Sequence, residues 1–319
     1  MSYVTNQSGA ATRQDDLIQP FRIEASGLHG RLVRLGAALD QPLKAQDYPD
    51  PVATLLGECL TLTAGLAAAL KFKGTFSLQA KGDGPVRMIV TDATSDGDVR
   101  GYAQVEGDLP DFDAIETAPI PRLLGAGYLA LTVDQGPAAE RYQGIVDLDG
   151  ATLGECVHHY FQTSDQFSTA VKLSVARDDN GCWRGGALIL QRSPEDENPM
   201  TQDDAEEAWR RAVILMGSCT PEEMVEPSLN ANQLLYRLFH EDGVRVFDPK
   251  PIAFACKCSP DRMSAAVAML TPEELREMTV DGAVTVTCQF CNATHIFDEA
   301  ALRDLRLPGA PDAPEATPT

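Results

Sequence analysis

The chain has 319 residues and a hydrophobic fraction of 44%, enough for a packed core, so it is not a disordered protein. Its 26 basic and 47 acidic side chains leave a formal net charge of −21. A surface that acidic repels phosphate backbones and anionic headgroups, which excludes nucleic acid and membrane surfaces as expected partners.

Residues 1–19 are polar, carry Asp15 and Asp16, and have no apolar h-region. They read as a flexible N-terminus, not a secretory signal, and the expected address is the cytoplasm. From 20 to 193 strand and helix signals alternate. Strands are expected at 31–35, 75–80, 86–92, 99–105, 128–133, 170–176 and 186–191, with Gly82-Asp83-Gly84-Pro85 as a turn between two of them. Helices are expected at 51–72 and 151–162. The apolar run Val52–Leu70 carries Glu58 and three threonines, so it reads as a soluble core helix and not a membrane span. Many strands with few helices imply an α+β domain.

Composition shifts at Pro194. Residues 195–207 hold seven acids and no base, and helical segments follow at 209–216 and 230–240. The stretch 194–244 reads as a metastable helical linker with little apolar surface of its own to bury, the first part of the chain to open. Trp209, Val213, Ile214, Leu215 and Met216 within it form a candidate client-contact helix once exposed. Residues 245–305 are too few for a large core and need a staple. The tail 306–319, with four prolines in its last twelve residues, reads as disordered.

The staple is visible in the cysteines. Of eight, Cys59, Cys156, Cys182 and Cys219 are scattered singly and read as inert thiols, with Cys219 in the linker a candidate extra redox site. The other four form Cys256-Lys257-Cys258 and, after 29 residues, Cys288-Gln289-Phe290-Cys291. Four sulfurs in two short pairs suit one tetrahedral Zn²⁺. Ser259 before Pro260, and Thr271-Pro272-Glu273-Glu274, are helix-cap signatures within the insert, and 284–287 reads as a strand delivering the second pair. Zinc would hold all four sulfurs as thiolates, the form oxidants attack, and the members of each pair lie within disulfide reach in sequence. Because metal binding energy is folding energy in so small a module, oxidation would unfold it and destabilise the linker. The spacing differs from a zinc ribbon, and the acids around it (Asp261, Glu273, Glu274, Glu277, Asp281) argue against nucleic acid.

At these residues the sequence resembles the heat-shock protein 33 family of redox-regulated holdase chaperones, whose signature is a Cys-x-Cys and a Cys-x-x-Cys pair about thirty residues apart. The resemblance extends through residues 48–52, 55–58, 70–72, 82–85, 142–146, 234–241, 244–247 and 297–299, and covers about 20 to 305. It implies an ATP-independent chaperone, not an enzyme, inactive when reduced and bound to one zinc ion. Oxidation would then form Cys256–Cys258 and Cys288–Cys291 disulfides, unfold the linker and drive homodimerisation, and unfolded client proteins would be the partners. The first domain would serve client binding and dimerisation, and the last would be the redox switch. Two departures stand out. Gln289 replaces an expected Glu, removing a charge beside two thiolates, and residues 163–169 replace a usual Ser-Glu-Gln-x-Pro-Thr run. The competing readings are a thiol–disulfide oxidoreductase and a structural zinc adaptor. No nucleotide, esterase-elbow or dinucleotide motif is present.

Overall fold

A computed structural model describes residues 15–109, 120–136, 139–164, 168–192 and 200–305. The expectations for 1–14, for the first acids of the linker (193–199), for 165–167 and for the tail from 306 lie outside the described residues. The fold is mixed α+β, as expected, and the chain divides into two compact units, Met1–Phe254 and Ala255–Thr319.

The first unit is built on two six-stranded sheets. In the first, the order is Val244–Val246, Leu17–Ile23, His29–Leu35, Trp183–Arg192, Ser168–Arg177, with Lys250–Pro251 also paired to Leu17–Ile23. The second runs Ala253–Phe254, Asp98–Val105, Val86–Thr94, Thr75–Gly82, Gly127–Asp134, Tyr142–Asp147. All seven expected strands are there. The helix Asp50–Ala67 packs against strands of both sheets and is buried at nearly every position from Val52 onward. That explains why its sequence is apolar all round. Its fit is close: a Cβ on Gly65 would lie 2.5 Å from Ile189 Cδ1. Among the described residues, no helix is long and apolar enough to cross a membrane.

Two expectations are corrected. Leu17–Gln19, assigned above to a flexible terminus, begin a strand in which Leu17, Ile18, Phe21 and Ile23 are buried. Pro20 masks it in the sequence. Pro20 O accepts from the Phe247 N–H (3.0 Å), so this residue turns its missing donor toward the edge of the sheet, where proline is tolerated. Residues 245–254, grouped above with the C-terminal module, pair with the sheets of the first unit.

The linker also buries more than expected. Helices Gln202–Gly217, Pro221–Val225 and Ala231–Phe239 cover the other face of the first sheet. Ala212, Met216, Cys219, Met224, Leu234, Leu235, Leu238 and Phe239 meet Leu17, Phe21, Leu28, Leu32, Leu188 and Leu190 in a second core. Phe21 and Phe239 stack with ring centroids 5.6 Å apart. The sheet thus has two apolar faces, and in its strand 183–192 residues 185–190 are buried without a break in place of an alternating pattern.

Polar contacts fasten the same stretch. Arg34, 1% exposed, donates to Leu229 O (2.6 Å) and Glu226 O and pairs with Asp15 (3.3 Å). Arg184 donates to Val225 O (3.1 Å) and pairs with the same Asp15. Two sheet arginines therefore hold the turn after Pro221–Val225. Removing Arg34 leaves the Leu229 and Glu226 carbonyls without their buried donor, at about 3 kcal/mol together. Arg34→Met is expected to speed amide exchange over residues 221–229 by about a hundredfold through that loss, read by hydrogen-exchange mass spectrometry.

Burial also pushes the Glu58 carboxyl from the ordinary 4.5 up to about 8. At neutral pH the folded chain holds that proton and the unfolded chain does not, so the contribution of Glu58 to stability is greatest at and below pH 4.5 and falls as pH rises toward 8. Glu58→Gln is expected to remove a slope of about 1.4 kcal/mol per pH unit, measured from urea unfolding across that window.

Candidate metal centre

The second unit has a small core: Val267, Leu275, Val284 and Phe297 are buried, with Met263, Leu270, Val286 and Leu302 packed against them. Its elements rely on caps. Ser259 accepts from Arg262 N (3.2 Å) to open helix Pro260–Ala268, and Thr271 with Glu274 forms the capping box that opens Pro272–Met278. These are the signatures read in the sequence. A three-stranded antiparallel sheet follows: Thr279–Val280, Ala283–Thr287 and Thr294–Asp298.

The last two strands form a hairpin whose tip carries Cys288 and Cys291. Cys288 N donates to Ala293 O (2.9 Å) and Asn292 N to Cys288 O (2.8 Å), with Asn292 at φ 58°. That left-handed residue suits asparagine and turns the chain back after the second sulfur. The first pair lies just before the Ser259 cap, where Arg262 donates to Lys257 O (3.0 Å) and Cys258 N donates to Cys256 Sγ (3.4 Å).

The fold thus brings together four sulfurs separated by up to 35 positions in sequence. All lie within 4.8 Å of one another. Cys256 and Cys288 Sγ are 3.6 Å apart, and Cys258 and Cys291 Sγ 3.3 Å, too far for a bond, and all four thiols are free. Ligands about 2.3 Å from one tetrahedral ion sit about 3.8 Å from each other, so the set fits a zinc-sized cation. His295, four residues beyond Cys291, is not part of the cluster.

The electrostatics point the same way. A contact with Cys291, then burial, pushes the Cys258 thiol up, and burial does the same to Cys291. At Cys256 burial acts upward too, but the Cys258 N–H and the neighbouring sulfurs outweigh it and leave that thiol below the ordinary value. Within the cluster, one sulfur takes negative charge at the expense of others. A divalent cation among them removes that competition.

The single cysteines behave differently. Burial raises Cys59, Cys219 and Cys156, the last to about 11, which makes them poor nucleophiles. Cys182 is half-buried and accepts from Lys44 Nζ (3.3 Å). In the linker, Met216 is buried, Trp209, Val213 and Leu215 are half-buried against the second core, and Ile214 is 70% exposed, so those five side chains do not share one face. Sequence reasoning missed Arg34 and Arg184, as buried arginines leave no local signal, and the sheet-edge pairing of 244–254.

Comparison with known proteins gives one answer. The family model described as Hsp33 protein matches residues 16–298. A 33 kDa chaperonin of Caulobacter vibrioides is 39% identical over 297 residues, covering 89% of this chain and 95% of that one. The 33 kDa chaperonin of a Pseudomonas putida strain is 36% identical over 304 residues, covering 95% and 97%. The crystal structure of the 33 kDa chaperonin from Thermotoga maritima superposes with a TM-score of 0.78 over 91% of this chain and 97% of that one, at 22% identity.

Replacing any one of the four clustered cysteines by serine is expected to lower zinc affinity by at least about tenfold. Competition with a chromogenic chelator measures it. Cys59→Ser is expected to leave zinc binding unchanged.

Proposed function

Since the chain belongs to the Hsp33 family and is a chaperone, we propose that it is a redox-switched, ATP-independent holdase that grips unfolded proteins. The observation carrying this reading is the four-sulfur cluster, in a unit whose core, among the described residues, is a cluster of four buried apolar side chains. With so little apolar burial, the fold of residues 255–305 depends on keeping the sulfurs together. Zinc, when bound, holds them as thiolates and cross-links the two chain segments.

Oxidation works against that arrangement. Each pair gives two electrons to a peroxide: two thiols become one disulfide and the peroxide leaves as water, so two disulfides consume two peroxides. Cys256 bonds to Cys258 and Cys288 to Cys291. A disulfide sulfur is no longer a thiolate, so the four residues cease to be a ligand set. The small unit loses its closure, and the linker, 194–244, opens.

Opening exposes the second core. Leu32, Leu188 and Leu190 on the sheet, and Leu234, Leu235 and Phe239 on the helices, are then available to client chains. The helix carrying Trp209, Val213, Ile214, Leu215 and Met216 joins that surface. Activated chains pair as homodimers. Eight free thiols suit a reducing cytoplasm. Gln289 beside Cys288 shifts the oxidation threshold, because a neutral side chain leaves the thiolate more stable than a carboxylate would.

The expected result is that only the oxidised protein suppresses light scattering from a thermally unfolding reporter, and that a thiol reductant reverses the effect. Equal suppression by the reduced, zinc-loaded form, or none by either, would overturn the switch.

A further inference from the structure

Sheet edges are binding surfaces, because an unpaired strand presents a row of N–H and C=O groups to any extended chain. In the first unit one short strip covers two of them. Val244–Val246 pairs with Phe21–Ile23, and Lys250–Pro251 with Leu17–Ile18, along the outer edge of the first sheet. Ala253–Phe254 then pairs with Asp98–Val99 at the edge of the second. Cys256 follows two residues later.

The strip is held mainly through its backbone. Phe247 N donates to Pro20 O (3.0 Å), Ile252 N to Asp16 O (2.8 Å) and Ala253 N to Gly97 O (3.0 Å). In the other direction, Glu24 N donates to Gly243 O (2.8 Å) just before the strip begins. The side chains from Arg245 to Pro251 are exposed, and within 244–254 Ile252 alone is buried. Further along the second edge, the Tyr48 hydroxyl accepts from Ala103 N (3.0 Å) and donates to Ala103 O (3.2 Å), so a side chain occupies the backbone groups of Ala103. The strip thus covers the first edge at Leu17–Ile18 and Phe21–Ile23 and the second at Asp98–Val99.

We propose that residues 244–254 are a resident stand-in for client: once this strip is released, an extended segment of unfolded polypeptide adds as a strand to the edges at Leu17–Ile23 and Asp98–Val99. The inference rests on the redox-switched reading above and specifies how the client is held. Two features support it. An edge that binds a peptide through main-chain groups, with one buried side chain in eleven positions, accepts almost any sequence, which a general chaperone requires. In addition, the strip runs directly into the first cysteine pair, so the chain segment freed by oxidation is the one that covers the edges. Strand addition and apolar contact are complementary here, because Leu17, Phe21 and Ile23 belong to the second core as well as to the edge strand.

The test uses the full chain and a permanently unfolded probe, reduced carboxymethylated α-lactalbumin. Hydrogen-exchange mass spectrometry of the oxidised protein is expected to show lost protection over 244–254, 17–23 and 97–101. Adding the probe is expected to slow exchange at 17–23 and 97–101 by about tenfold, leaving 244–254 fast. Two reduced, zinc-loaded variants extend the test. Gly97 has φ +96°, and a Cβ there would lie 2.4 Å from Pro251 O, so Gly97→Ala displaces the strip; Ile252→Ala removes its one buried anchor. Either variant is expected to bind the probe without oxidant while retaining its zinc and four thiols. An oxidised wild type that suppresses aggregation, while the probe leaves exchange at both edges unchanged, would sink the edge inference alone. If oxidised wild type suppresses no aggregation, the switch falls and this inference with it.

Discussion

Everything distinctive about the C-terminal unit depends on four sulfur atoms held within 4.8 Å of each other. A contact with Cys291 and burial drive Cys258 toward the neutral thiol, burial does the same to Cys291, and the Cys258 N–H with the neighbouring sulfurs outweighs burial at Cys256 and leaves it below the ordinary value. A bound divalent cation turns the same crowding into cohesion. The surrounding fold offers less: Val267, Leu275, Val284 and Phe297 form a far smaller buried cluster than the cores of the first unit. Helix caps at Ser259, Thr271 and Asp298 set the local geometry, but each contributes only about 1 kcal/mol. Chemistry at the sulfurs is therefore also a change in folding free energy.

The first unit is governed by a different constraint. Its first sheet is apolar on both faces: the helix Asp50–Ala67 packs on one, and the helices of the linker on the other. The first cover is the more permanent, since that helix also packs on the second sheet. The second cover is a separate core, completed by Arg34 and Arg184 through carbonyls of the turn at Val225–Leu229. The helices of the linker therefore cover apolar surface of the sheet that belongs to a core separate from the first. The described linker is accordingly held by substantial burial, and its acids Asp203, Asp204 and Glu207 are exposed.

Local chemistry was legible without a structure. The cysteine pairs, the capping residues at Ser259 and Thr271, the turn at residues 82–85 and the long apolar helix each write their requirement into adjacent positions, because ligand type, cap hydrogen bonds and helical period all act over a few residues. The strand Leu17–Ile23 escaped because Pro20 reads as a breaker until its edge-facing position is known. The apolar stripe Leu234, Leu235 and Leu238 is visible in the linker, yet nothing nearby names the sheet face it covers.

What the sequence by itself determined is the grouping of the four cysteines, the α+β class and the family. What only the tertiary structure decided is which distant pieces meet: Arg34 with the carbonyls of residues 226 and 229, the linker with a second core, and the strip 244–254 with two sheet edges. The physical reason is that these contacts are made mostly by main-chain groups and by generic apolar side chains, brought together across long separations. Such groups carry no signature of their partner, whereas a thiolate pair, by its spacing, already implies what it binds.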